Sequence, residues 1–410
     1  MKKYYVYIML VFFLFSCRES KTAVLWTDRP EFAFYVQCFN SVQSKYKIEI
    51  KQFDSLALTL SGTKESPDII VGRWLKSSKI MSRFKPLDTI LKQNPSLEND
   101  FFPSLLSLGA VGKKQMLLPV AFDLPLIFFA EEKNLAINDA FIIDLNEIKE
   151  LGKEYNVKKN SVFTQVGFSP LWNNDFVFEI ARIKGAAFTE GETLEWNNEA
   201  LENAILFIKD WINNINGGVD ADADFSYKYF FNTPQRLVLD GRILFSYIRS
   251  SDFFTKTEQR SDLDFRILSG EKLIPVYEGA VYYGLDKKGK SSKAAEAFTL
   301  WFFNEKTQER LLEESRLNHI DDTVFGIAGG FPAMKSVTKN ILPRYYPELL
   351  GHFPPDDYLM PSNIKPYNWT DLKESVIIPY ILEQCKNSNG SASALGVRVA
   401  DWIRTSNTIE

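Results

Sequence analysis

Trp26 and Asp28 lie at the end of the β-rich run Thr22–Trp26, and Arg73 and Trp74 follow Gly72, which stops the buried run Pro67–Val71. An indole offers a flat apolar face for stacking, a carboxylate accepts hydrogen bonds, and a guanidinium donates them in a planar fork. Ligands of open α/β folds are met at the carboxyl ends of strands, where these residues fall. Such a set binds a polar organic molecule and needs no nucleophile. Asp28 has a second reading as the N-cap of the helix that follows, and Trp74 a second reading as packing. The chain contains no G-x-S-x-G, H-E-x-x-H, P-loop or G-x-G-x-x-G motif, which argues against an enzyme. The two histidines, His319 and His352, stand far apart without metal-ligand spacing, so neither a metal nor a cofactor is expected.

The elements that position these residues follow from periodicity. Thr22–Trp26 predicts a strand, and Phe32, Tyr35, Val36 and Phe39 carry helical spacing through Glu31–Tyr46. Lys47–Phe53 alternates apolar and polar residues as a second strand. Strand, helix and strand over this length form a βαβ unit, the building block of parallel sheets. Helices are expected at Leu145–Glu154, Pro170–Ile183 and Asn198–Asn213. Leu237–Ile248 reads as a short helix ending at Gly241 with a strand after it. Lys290–Glu314, Leu372–Cys385 and Ser393–Arg404 also read as helical. Trp211 and Trp301 lie on apolar helical faces, and burial accounts for them. Asn213–Asp224 (NNINGGVDADAD) reads as a solvated loop, since its acidic spacing lacks the terminal Glu and the glycine of a calcium loop.

Composition narrows the class. The 410 residues are 45% hydrophobic and carry a formal net charge of −4. No basic stripe with interleaved aromatics is present, so nucleic acid is not an expected partner. The N-terminus runs Met1-Lys2-Lys3, then apolar from Tyr4 to Phe15, then Ser16-Cys17, which is the order of a secretory signal. About twelve apolar residues span roughly 18 Å as a helix, short of the ~30 Å hydrocarbon core, so residues 1–16 are expected to be a signal peptide and not a membrane span. Leu14-Phe15-Ser16-Cys17 resembles the lipobox of bacterial lipoproteins, which implies acylation, palmitate included, on Cys17 and anchoring to the cell membrane facing the periplasm or exterior. Cys38 and Cys385 then remain, either as buried free thiols or as a bridge.

The order of signatures across the mature chain resembles the extracellular solute-binding proteins of ABC importers, in the branch that includes the maltose- and oligosaccharide-binding members. The segments that carry the resemblance are Val24-Leu25-Trp26, Ser66–Val71, Phe84-Lys85-Pro86-Leu87-Asp88, Leu118–Asp123 with the apolar strand 125–129, Leu239–Phe245, and the helix with Lys293, Ala294, Ala297, Phe298, Trp301, Glu305 and Gln308. Two positions depart from the pattern: Asn304 replaces a small polar residue, and Glu278-Gly279 replaces a Gly-Gly pair. The resemblance implies an α/β, two-lobed type II periplasmic-binding-protein fold, each lobe a mainly parallel sheet flanked by helices, with ligand in the cleft between. Lobe one is expected at 17–128 with 281–328, and lobe two at 129–280 with 329–410. Asp123 matches a position that faces the cleft in the family, with hinge hydrogen bonding as its other reading, and Trp172 matches a stacking aromatic of lobe two. Tyr247, Glu278, Tyr282 and Phe331 lie near later strand ends or crossings and complete the expected binding set. The implied ligand is a small polar molecule, a sugar or oligosaccharide first. The implied partners are ABC permease subunits and, through lipid alone, the membrane; a monomer is expected. The alternative on the same fold is a sensor or surface-contact lipoprotein without transport.

Overall fold

The computed structural model describes residues 21–133, 135–255, 262–387 and 393–409. Cys17 and the signal segment lie outside the described residues. The first βαβ unit forms as its periodicity predicts: Thr22–Thr27 and Lys47–Gln52 pair in parallel around the helix Glu31–Val42, which buries Phe32, Tyr35, Val36 and Phe39. Ile69–Gly72 adds in parallel on the other side of Thr22–Thr27. The remaining strands of this six-stranded sheet are antiparallel to their neighbours. Val281–Leu285 lies between Ile69–Gly72 and Leu117–Phe122, and Phe331–Pro332 closes the edge beside Leu117–Phe122.

A second sheet has the order 246–249, 125–130, 263–269, 142–144, and only its last pairing is parallel. Parallel pairing therefore holds for the opening strands and for 142–144 with 263–269, while the strands beside the crossings pair antiparallel. Pro125–Ala130 is buried throughout and serves two cores by its period of two. Leu126, Phe128 and Ala130 join the larger core; Ile127 and Phe129 join a second, which holds Phe176, Phe178, Trp211 and Trp369.

Asp123-Leu124 links strands of the two sheets, and residues 276–280 make a second crossing. Asp123 accepts at its backbone carbonyl from the Tyr277 N–H (2.9 Å), and Leu124 accepts from the Ser250 N–H (2.9 Å), so the crossings are bonded to each other. The stretch from 329, expected with lobe two, starts in the first sheet: Phe331 pairs with Phe122, and Val337, Leu342, Tyr346 and Leu349 belong to the larger core. Trp369 and the helical residues after it join the second core. A two-residue edge strand carries no periodicity, so no sequence pattern marks this return.

Asn213–Asp224 is not a loop. Trp211–Ile215 continues the helix Asn198–Asp210 as a π-turn, Gly218 turns the chain with φ 100°, and Val219–Lys228 is helical. Asp222 is buried in that helix and accepts from the Asn216 side chain (3.4 Å), and tertiary burial outweighs the local polarity. Lys290–Glu314 is two helices, Ser292–Phe302 and Glu305–Leu317, and the break explains Asn304. Its side chain caps the second helix by accepting from the Thr307 N–H (3.3 Å). Cys38 and Cys385 are both free thiols. Among the described residues no helix is long and apolar enough to cross a membrane.

Candidate functional site

The strand Ser246–Arg249 forms a wall shared by two cavities. Tyr247 and Arg249, two residues apart, project from the same face about 7 Å from one another. Tyr247 lines a cavity of about 520 Å³ within the second lobe, together with Trp172, Asn173, Phe225, Tyr229 and Ser226. Arg249 lines a second cavity, of about 250 Å³, whose other walls include Arg29, Glu31 and Arg73 from the first sheet's side and Asp123, Ser251 and Tyr277 from the crossings.

The larger cavity is aromatic with a few polar groups. Trp172 lies parallel to Phe225 (centroids 5.7 Å, 12°), and Phe225 packs on Tyr229 at 5.0 Å. The Asn173 side chain caps the helix Asn174–Ile183 by accepting from the Asp175 and Phe176 N–H groups, which fixes the turn that presents Trp172. The Trp172 Nε1 and the Tyr247 hydroxyl are buried with no hydrogen-bond partner among the described residues. Asp222 also reaches this cavity, and burial raises its carboxyl to about 6.

The smaller cavity is polar and framed by a charge network. Arg249 donates to Asp175 through Nε (3.1 Å) and Nη2 (2.5 Å), and its guanidinium lies 4.0 Å from the Tyr277 ring centroid. Lys373 sits 3.3 Å from Asp175, 3.3 Å from Glu278 and 3.3 Å from the Tyr277 hydroxyl. Burial pulls the Asp175 carboxyl upward, but Lys373 and Arg249 outweigh it and hold the group below the usual carboxylate range. Burial raises Glu179 to about 7 despite Arg182 at 2.9 Å, and Arg182 also donates to the Val276 carbonyl (2.8 Å) on the second crossing. Asp123 is consumed by the hinge. Its carboxylate accepts from the Ser250 hydroxyl, the Ser251 N–H (2.9 Å), the Ser251 hydroxyl (2.5 Å) and the Leu124 N–H (3.0 Å).

The loop after Ile69–Gly72 reaches into this region from the first lobe. Trp74 adopts φ 62° and packs against both cores, so it sits at the contact between lobes. A Cβ on Gly279 would lie 3.0 Å from the Arg73 Cδ and 3.8 Å from Trp74, so the Arg73 side chain lies close over the backbone of the second crossing. Asp28 Oδ2 accepts from the Arg73 N–H (3.3 Å), and its Oδ1 is buried without a partner. No side-chain capping bond from Asp28 to the helix Glu31–Val42 exists. At the rim, Glu190 from the second lobe accepts from the Ser77 hydroxyl (2.7 Å) and the Ser78 N–H (2.7 Å), a contact that fastens the lobes.

Of the residues expected from sequence, the structure brings Arg73, Asp123, Trp172 and Tyr247 to the cavity walls, and places Asp28, Trp74 and Glu278 beside them. Three others lie in the core. Trp26 falls inside the strand, not beyond it, and packs on Phe53 at 4.8 Å. Tyr282 is fully buried in the middle of its sheet and donates its hydroxyl to Leu105 O (2.9 Å). Phe331 is buried among Phe122, Phe325 and Phe353. Sequence reasoning missed Arg249, Asp175, Tyr277 and Lys373. Arg249 had one signal, its same-face spacing from Tyr247; Phe225 and Tyr229 had their i, i+4 spacing, just beyond Asn213–Asp224, the stretch that reads as a loop.

No family model matches the sequence, and no curated protein matches it. Solved structures do match in three dimensions. The sugar-binding protein MalE from Xanthomonas citri superposes with a TM-score of 0.62 at 12% identity, over 94% of this chain and 96% of its own. The cyclic alpha-maltosyl-1,6-maltose binding protein from Arthrobacter globiformis gives 0.59 at 17% identity, over 95% and 98%. The galacto-N-biose-/lacto-N-biose I-binding protein of the ABC transporter from Bifidobacterium longum gives 0.57 at 13% identity, over 95% and 96%. At such identities the likeness speaks for architecture, and over nearly the whole of both chains it does so without gaps of domain size. The chain therefore has the two-lobed α/β type II fold of periplasmic binding proteins.

Proposed function

We propose that this chain is the substrate-binding protein of an ABC importer, capturing a carbohydrate between its lobes and delivering it to a membrane permease, while lipid on Cys17 holds it at the membrane surface. The observation that carries the reading is the wall 246–249, which presents a stacking cavity and a hydrogen-bonding cavity side by side. Sugars offer a C–H face to aromatic rings and a hydroxyl rim to charged donors and acceptors. The carbohydrate ligands named for the solved relatives support the same class. No step of bond making is required of these residues. A ligand that touches Arg73 on one lobe and Arg249 on the other stabilises closure by its differential affinity for the closed form, and that form is what a permease recognises. Lipid tethering keeps the captured ligand at high local concentration near the transporter.

The test is thermal denaturation of the protein against mono- and oligosaccharides. A true ligand at one hundred times its dissociation constant stabilises by about 2.7 kcal/mol. No shift across a broad panel removes the carbohydrate assignment. Labelling with a palmitate analogue is expected to mark the wild type and not Cys17→Ala.

A further inference from the structure

The cavity between the lobes holds more cationic donor capacity than the described residues use. The guanidinium of Arg73 makes no hydrogen bond or ion pair with any described residue; only its backbone N–H is engaged, by Asp28, and its Nε is buried without a partner. Arg29 reaches Glu31 through Nη2 (3.1 Å), and its Nε is likewise buried and unpartnered. Arg249, two of whose donors are held by Asp175, faces them from the opposite wall. Two glycines make room for this arrangement. A Cβ at Gly329 would fall 2.6 Å from the Arg29 Nη2, and one at Gly279 would fall 3.0 Å from the Arg73 Cδ, so both side chains rest on bare backbone. The acids nearby are committed in part: Asp123 to the serines, Asp175 to Arg249 and Lys373. Asp28 Oδ1, behind the wall, and Glu31 Oε2 stay unpartnered, and Asp252 adds a further carboxylate to the lining.

Unused guanidinium donors beside unused carboxylate acceptors match a ligand that carries an oxyanion next to hydroxyl groups. Guanidinium is suited to this because its fork meets a planar carboxylate or a sulfate with paired hydrogen bonds. We propose that the bound carbohydrate is acidic, with a uronate carboxylate or a sulfate ester clamped by Arg73, Arg29 and Arg249 and its neighbouring hydroxyls accepted by Glu31. This rests on the carbohydrate reading above. The rest of the sugar extends along strand 246–249 toward Tyr247 and Trp172.

The experiment is isothermal titration of the full-length, detergent-solubilised protein with four matched sets of oligosaccharides: uronates, their methyl esters, sulfated sugars and neutral sugars. Binding of the uronates or of the sulfated sugars at least tenfold tighter than the esters and neutral sugars is expected, and which of the two binds identifies the oxyanion. That preference should shrink several-fold in high salt and disappear in Arg73→Gln, with Arg73→Lys intermediate because it keeps the charge without the fork. Thermal melts of both variants establish that they fold. Neutral or esterified sugars binding as tightly as the acids, or full acid preference in folded Arg73→Gln, overturns the proposal and leaves the carbohydrate reading standing. If no sugar of any set binds, both readings fall together.

Discussion

The two cavities that meet at strand 246–249 are built on opposite plans. The aromatic one is lined by residues of the second lobe alone, with Trp172 and Phe225 already parallel. The charged one is assembled from both sides, Arg29 and Arg73 facing Arg249 and Tyr277 across the crossings. A group bound only in the aromatic cavity meets the same surface whether the lobes are open or closed, so it adds affinity without driving closure. Contacts in the charged cavity exist only when the lobes come together, and only those bias the conformational equilibrium. Under the proposed function, stacking would serve capture and charge would serve the switch.

The largest effect expected from breaking this division is at the hinge. Asp123→Ala removes the acceptor of Ser250, Ser251 and the Leu124 N–H and should cost about 3 kcal/mol, read by urea denaturation. An unchanged midpoint would mean that the crossings are held by other bonds. Next is Lys76, which is buried against the Tyr282 ring at 4.8 Å and has no anionic partner among the described residues; burial, with the Lys365 and Arg182 charges, lowers it to about 7 from 10.5. Between those values the unfolded chain holds a proton that the folded chain has released, so stability rises with pH across that window, and the penalty is full below pH 7. Lys76→Met should raise stability at pH 6 by on the order of 2 kcal/mol and flatten that rise. A melting temperature that climbs equally in wild type and variant between pH 7 and 10 would assign the effect elsewhere.

Trp172→Ala should weaken ligand binding about tenfold, in line with roughly 1.4 kcal/mol for a stacked ring, while leaving the extent of ligand-induced closure at saturation unchanged. Small-angle scattering at saturating ligand separates the two: loss of closure would show that the aromatic cavity also takes part in the switch. The smallest effect is expected at the rim, where Glu190→Gln keeps one acceptor for Ser77 and loses the charge. It should shift the open–closed balance by less than about 1 kcal/mol, visible as faster ligand release in stopped-flow fluorescence. No change in release would reduce the contact to an ordinary surface pair.

The sequence by itself determined the elements whose signals are local. Phe32, Tyr35, Val36 and Phe39 specify one buried helical face, alternation specifies Lys47–Gln52, and Trp211 is in the core as its helical neighbours require. The two-lobed binding fold was implied by the resemblance of segments such as Ser66–Val71 and Leu118–Asp123 to solute-binding proteins, not by those elements themselves. Whether an aromatic residue near a strand end lines a cavity or lies in the core was not readable, because these strands are covered on both faces and alternation marks no solvent side. Trp26, Tyr282 and Phe331 went inward for that reason, while Trp172 and Tyr247 stayed on a cavity wall. Only the tertiary structure decided the charge network. Asp175 and Lys373 are separated by 198 positions, and Arg73 acquires its unpaired donors from the approach of Gly279 and the enclosure between lobes. Burial sets the energy of a charge, and burial is a property of the folded whole; local spacing carries periodicity and caps, but it carries no record of which distant side chain will exclude the water.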